Sequence, residues 1–322
     1  MSRKASVTRT PATNRPGARQ PDRSAQRSPV QPSQQKAARW PMVAGLVVAA
    51  LVSAMVVYVA RSGSVDTPTA GAADDGFGHV HGMAVDHGTG KLYAATHYGL
   101  YRIDGERTAV RVSKQAQDLM GFTAAEPGRF LASGHPDADS DGPSRLGLIE
   151  STDGGVTWQT MSLSGTADFH GLRAAHNAVY GYNSADGAFM VSTDRQSWQT
   201  RSNLAMGAFV VSPTDGDTIV GVGETGLQRS SDGGRTWTAI AGTPGFSDMV
   251  WDADAGLRGV APDGGVWQST DAGNSWQQRG RVSGEPHALS AHGDDLYVAV
   301  TGDKILTSGD GGATWTTHYQ PN

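Results

Sequence analysis

From Phe77 to the end of the chain, apolar and β-branched residues come in short runs cut by Gly and Asp turns. The C-terminal stretch shows the unit plainly. "HALSAHG", "DLYVAVTG", "KILTSGD" and "TWTTHYQ" are four successive runs, the pattern of short antiparallel strands joined by tight turns. Five copies of one turn segment mark the period: "STDGGVTW" at Ser151, "STDRQSW" at Ser192, "SSDGGRTW" at Ser230, "STDAGNSW" at Ser269 and "SGDGGATW" at Ser308, spaced by 41, 38, 39 and 39 residues. A period of about 40 residues suits a four-stranded propeller blade. A degenerate copy precedes them, because "GLYRIDG" at Gly99 aligns with "GLIESTDGG" at Gly147 and puts Ile103 where the others have Ser. The expected fold is therefore all-β, a six-bladed β-propeller over 77–322. The first unit begins on its first strand and the last ends on its fourth. No strand is then exchanged between the termini, and ring closure must rest on packing of the first blade against the sixth.

The pattern before Phe77 is of another kind. Residues 1–39 are rich in Ser, Gln, Pro and Arg, with nine basic residues against one acid, Asp22, and read as a disordered basic tail. The run "PMVAGLVVAALVSAMVVYVA" from Pro41 to Ala60 has 20 residues without a charge, which predicts one transmembrane helix over 40–60. It exceeds the apolar core of about 7–15 residues found in cleaved signal peptides. The positive-inside rule keeps the tail cytoplasmic and sends the rest out, giving a single-pass cell-membrane protein with an extracytoplasmic propeller. Residues 61–76 read as a flexible stalk of small and polar residues.

Charge and composition narrow the partners. Outside the tail, residues 40–322 hold 17 basic and 30 acidic side chains, a formal charge of −13, which argues against nucleic acid as a partner. A protein or glycan ligand and divalent metals remain open. The chain has no cysteine, so neither a disulfide nor a lipid-anchored cysteine is available.

In the recurring turn, the Asp can accept hydrogen bonds from following backbone N–H groups, the glycines allow positive φ, and the Trp buries a large ring. Five copies on five blades are structural staples between third and fourth strands. These segments resemble the Asp box, or BNR repeat, of the sialidase-like propeller superfamily, over residues 77–322. The chain with its "HVHGMAVD" start is also similar to uncharacterised bacterial membrane-anchored propellers labelled glycosyl hydrolases. The resemblance implies the propeller and leaves activity open, since the superfamily holds glycosidases, receptors and photosystem assembly factors. A sialidase would need three arginines, a Tyr activated by a Glu, an Asp acid and an Arg-Ile-Pro string. The last is absent, its nearest match being "YRIDG" at Tyr101, and Arg145, Arg173 and Arg258 are the available guanidinium groups.

The six first strands carry more chemistry. They read "HVHGMAV" from His79, "DLMGFTA" from Asp118, "DFHGLRA" from Asp168, "AMGAFVV" from Ala205, "FSDMVWD" from Phe246 and "EPHALSA" from Glu285. The first column holds His79, Asp118, Asp168 and Glu285, and the third holds His81, Met120, His170, Asp248 and His287. First strands line a propeller's channel, so these residues are expected to converge on one mouth, joined by His97 and His135 from loops on the same face. Imidazoles and carboxylates together suit a divalent metal. His81, His170 and His287 are the expected ligands. Asp118, Asp168, Asp248 and Glu285, with Glu224, are the candidate carboxylates if the mouth is instead a glycoside-hydrolase centre.

"DADSDG" offers Asp137, Asp139 and Asp141 at the spacing that opens a calcium loop, but the twelfth position is Leu148, where an EF-hand needs Glu. No phosphate-cradling Gly-rich loop, nucleophile elbow or HExxH string occurs. The sequence thus points first to a ligand-, metal- or protein-binding module. A glycoside hydrolase is the alternative, and an assembly factor for a membrane complex the third reading.

Overall fold

The computed structural model describes residues 77–113 and 115–321. The tail over 1–39, the transmembrane helix over 40–60 and the stalk over 61–76 lie outside the described residues. Among the described residues no helix is long and apolar enough to cross a membrane.

The described chain forms six four-stranded antiparallel sheets, each a meander of consecutive strands. Blade 1 holds β1 (Val80–Val85), β2 (Leu92–Thr96), β3 (Gly99–Gly105) and β4 (Thr108–Arg111). Blade 2 holds β5 (Asp118–Glu126), β6 (Arg129–His135), β7 (Leu148–Ser151) and β8 (Gln159–Ser162). Blade 3 holds β9 (Phe169–Ala175), β10 (Ala178–Asn183), β11 (Ala188–Ser192) and β12 (Gln199–Asn203). Blade 4 holds β13 (Met206–Val211), β14 (Ile219–Gly223), β15 (Gly226–Ser230) and β16 (Thr238–Ala239). Blade 5 holds β17 (Asp248–Asp252), β18 (Gly256–Val260), β19 (Gly265–Ser269) and β20 (Gln277–Arg281). Blade 6 holds β21 (Pro286–His292), β22 (Asp295–Val300), β23 (Lys304–Ser308) and β24 (Thr316–Tyr319).

The innermost strands β1, β5, β9, β13, β17 and β21 pack each against the next, and β21 packs back on β1. The expected six-bladed propeller is what the chain forms. Second strands are buried on both faces, all five residues of β2 among them, because each blade is covered by its neighbours. The apolar cores therefore lie between blades. Tyr93 and Leu100 of blade 1 pack with Phe122, Phe130 and Ile149 of blade 2, for example.

The turn segments bond as their residues dictate. Ser151 Oγ donates to Asp153 Oδ1 at 2.8 Å and accepts the Gly155 N–H at 2.8 Å. Asp153 also accepts the Thr157 N–H at 2.9 Å and its hydroxyl at 2.6 Å. The same bonds recur around Asp232, Asp271 and Asp310. Gly155 sits at φ 92°, and a Cβ there would lie 2.4 Å from Leu100 Cδ2 of the preceding blade. The staple thus also sets the approach of neighbouring blades. Ser151→Ala should cost about 1–3 kcal/mol, since the buried Gly155 N–H loses its acceptor, which urea denaturation would measure. In blade 1 a buried Ile103 replaces the hydroxyl and joins the apolar core instead.

Closure follows the expectation, with the first and last sheets each built from their own consecutive strands. Phe77 stacks on Tyr319 with ring centroids 5.0 Å apart, within a core shared by Val80, Met83, Ala288 and Ile305. The Gln320 N–H donates to Glu106 O at 2.9 Å, and Arg107 Nη1 to Pro321 O at 3.1 Å.

Candidate functional site

One backbone device recurs at the leading ends of the innermost strands. The register of β1 jumps from Val80↔Thr96 to Gly82↔Ala95, leaving His81 without a partner across the ladder. The same jump passes over Met120 in β5, His170 in β9 and His287 in β21. In β13 it passes over Gly207 and Ala208, and β17 alone runs through in register from Asp248. An extra residue in a strand bends it and re-aims its side chain. Four of the five residues of the third sequence column owe their position to such bulges.

The mouth of the channel gathers its histidines and carboxylates in three groups along blades 6, 1, 2 and 3. In the first, Asp118 Oδ1 lies 3.0 Å from His97 Nδ1 and 3.4 Å from His81 Nε2, and the two imidazoles are 3.2 Å apart. In the second, Asp168 Oδ2 lies 3.0 Å from His170 Nε2 and 3.6 Å from His135 Nε2. In the third, His79 and His287 touch through ring nitrogens, with ring centroids 4.1 Å apart.

Protonation is set by these contacts. Burial draws His79 down to about 4, helped by repulsion from His287 and His81. Burial also lowers His81 and His287. His97 moves the other way, raised by its hydrogen bond to Asp118. Burial favours the neutral form of Asp118, yet the bonds to His81 and His97 outweigh it and hold the carboxyl well below the usual carboxylate range. Asp168 is likewise lowered against its burial, by His170, His135 and Ser184. At neutral pH the first group therefore presents an ionised carboxylate beside a neutral His81.

Among the described residues, His81, His97 and Asp118 form the one set of three whose ligand atoms all lie within 4.8 Å of one another. The set expected from the sequence, His81, His170 and His287, is not gathered. These residues belong to blades 1, 3 and 6, and the ring spreads them, so each bonds within its own group. Asp248 is not free at the mouth either. Its oxygens accept the Met249 N–H at 2.8 Å and the Leu289 N–H at 2.9 Å, and Arg173 Nη2 stands 3.4 Å away. Glu285 and Glu224 make no side-chain hydrogen bond among the described residues, though Glu285 acts on His287 through its charge.

Asp137 Oδ2 caps the Ala116 N–H at 2.8 Å, and the ligand atoms of Asp137, Asp139 and Asp141 are not brought together. Nor do the three arginines share a setting. Arg258 is fully buried against Asp252 and Gly293 O, Arg173 lines the channel, and Arg145 bonds Thr166 O. Asp303 was not legible as a site residue. Its turn between β22 and β23 brings it into charge contact with His287, and burial raises its carboxyl. The channel holds an open cavity of about 510 Å³ that includes His81, His170 and His287 of the mouth and is walled by Met83, Phe122, Arg173, Phe209 and Trp251.

No protein-family profile matches the sequence, and no curated protein matches it. Solved structures do. A GH74 enzyme from Niastella koreensis superposes with a TM-score of 0.56 at 18% identity, over 76% of this chain and 46% of that one. The chain spans under half the length of that enzyme. A chain of a nidogen/laminin complex gives 0.58 at 12% identity, over 72% and 93% of the two chains. A gluconolactonase from Xanthomonas campestris gives 0.55 at 12%, over 70% and 84%. At such identities the likeness speaks for the fold: this chain is a six-bladed β-propeller distantly similar in structure to GH74 and lactonase propellers.

Proposed function

We propose that the propeller is a binding module that holds a divalent transition-metal ion at its channel mouth, through His81, His97 and Asp118. The observation that carries this is the convergence of their three ligand atoms within 4.8 Å, one imidazole and the carboxylate half-buried and the second imidazole exposed. Two imidazoles and one carboxylate suit zinc, copper, iron(II) or manganese, and three protein ligands leave coordination positions for a second molecule. The sequence pattern of residues 1–60 supports a module anchored at the outer face of a membrane, where the ion would be presented to an extracytoplasmic ligand.

Glycoside hydrolysis asks for a protonated acid opposite an ionised carboxylate. Asp118 and Asp168 are both held ionised by their histidines, which makes them ligands for a cation rather than proton donors, and Asp248, whose carboxyl burial raises, is taken up by the Met249 and Leu289 N–H groups.

Calorimetric titration of the metal-free full chain, in detergent micelles, with Zn(II) tests the reading. The His97→Ala chain is expected to bind at this site at least roughly 100-fold more weakly, beyond the 10–100-fold typical of losing an outer-shell partner. Equal affinity in both chains would remove the site.

A further inference from the structure

The second group at the mouth shares two positions of the first, one blade on. His97 follows β2 and His135 ends β6, so both stand at the turn after a second strand. Asp118 and Asp168 stand at the leading end of the next blade's innermost strand, whereas the bulge position that matches His81 one blade on is Met120, and His170 joins from the bulge of Asp168's own strand. The two groups are neighbours, because Asp118 and His135 face each other across β5 and β6.

Two details of the second group call for a cation. His135 Nδ1 lies 2.9 Å from Ser144 O, a carbonyl that can only accept, so Nδ1 carries a proton. Nε2 is then the ring nitrogen that faces Asp168 Oδ2, at 3.6 Å. A histidine that donates its far nitrogen to a backbone carbonyl is in the tautomer of a metal ligand. The second detail is Asp168 itself. Its side chain is 10% exposed, its Oδ2 accepts from Ser184 Oγ at 3.1 Å, and its buried Oδ1 has no hydrogen-bond partner among the described residues. A buried carboxylate oxygen without a donor is costly and calls for a counter-charge. The Asn183 side chain holds the Asp168 N–H at 2.9 Å, while His135 and His170, each partly exposed, flank Asp168 Oδ2 with ligand atoms that do not all lie within 4.8 Å of one another, so an ion would draw the rings inward.

We propose that Asp168, His135 and His170 form a second site for a divalent transition-metal ion, beside the first and independent of its occupancy. Imidazole and carboxylate donors again select the zinc, copper, iron(II) and manganese class.

Zn(II) bound per chain, measured by elemental analysis after dialysis of the full chain in micelles, separates the sites. Wild type is expected to hold two ions, and His135→Ala/His170→Ala and His81→Ala/His97→Ala one each. Asp168→Asn, which keeps the size of the side chain, should behave as the His135→Ala/His170→Ala chain does and covers the case in which that chain misfolds. One ion retained by wild type, His135→Ala/His170→Ala and Asp168→Asn alike would overturn the second site and mean that His135 simply takes a proton. One ion lost only with His135→Ala/His170→Ala would uphold it while removing the first. No ion in any chain would sink both.

Discussion

Tyr319→Ala is expected to destabilise the propeller by about 3–5 kcal/mol, the range for truncating a large buried aromatic ring. That is a large share of the roughly 5–15 kcal/mol that holds a domain folded. The physical reason is the closure. At the other five junctions the chain itself runs from one blade to the next, so losing packing there leaves the blades tethered. Between blade 6 and blade 1 the two sheets share no strand, and the seam is held by the Phe77–Tyr319 stack, the apolar residues around it, the Gln320 N–H donated to Glu106 O and the Arg107 guanidinium donated to Pro321 O. Tyr319→Phe keeps the ring and should change stability by under about 1 kcal/mol, as a surface-scale effect would. Urea unfolding of the three chains measures the difference. Hydrogen exchange should also quicken first in β1 and β23 of the Tyr319→Ala chain, since the weakened seam opens before the rest. An alanine chain as stable as the phenylalanine one would place the closure elsewhere.

The fold was legible because its signal is redundant. Five turn segments at near-equal spacing fix the blade period, and four of them are the same local hydrogen-bonded unit, while the shorter copy at Ser192 takes the Arg195 N–H in place of a glycine's. Even the degenerate first blade could be placed, since "GLYRIDG" aligns with "GLIESTDGG", and Ile103 at the Ser position joins the apolar core. The mouth was legible as a location for the same reason, as the first strands align once the period is known.

The grouping within the mouth was not legible. It depends on bulges at His81, His170 and His287, and a one-residue change of register turns a side chain to another face without leaving a mark in composition. It depends also on contacts across seams. His97 meets an aspartate 21 residues on because blade 2 packs against blade 1 there. Asp248 shows the converse: a carboxylate in the right column becomes a brace, because β17 runs in register and turns its oxygens to the Met249 and Leu289 N–H groups. Column position told which residues reach the mouth, and seam packing decides which of them meet.

Asp118→Asn should have the largest effect on the proposed first site, because this one side chain both supplies the charge and collects the two imidazoles. Zn(II) affinity is expected to fall by at least about 100-fold, near 2.7 kcal/mol at 1.36 kcal/mol per tenfold. The metal-free protein gives a second readout that does not require an ion. His97 titrates above its ordinary value because its hydrogen bond to the Asp118 carboxylate favours the charged ring. The neutral amide of asparagine offers no such charge, so the His97 titration should move down, with burial then acting unopposed. His79 should stay near 4, since burial and its imidazole neighbours set it and Asp118 enters only as a weak opposing charge. NMR titration of the imidazole protons resolves both. If Zn(II) affinity drops while His97 titrates as in wild type, the carboxylate binds the ion without having gathered the ring. If His97 shifts while affinity holds, the first group is an ion-paired cluster and the ion is held elsewhere.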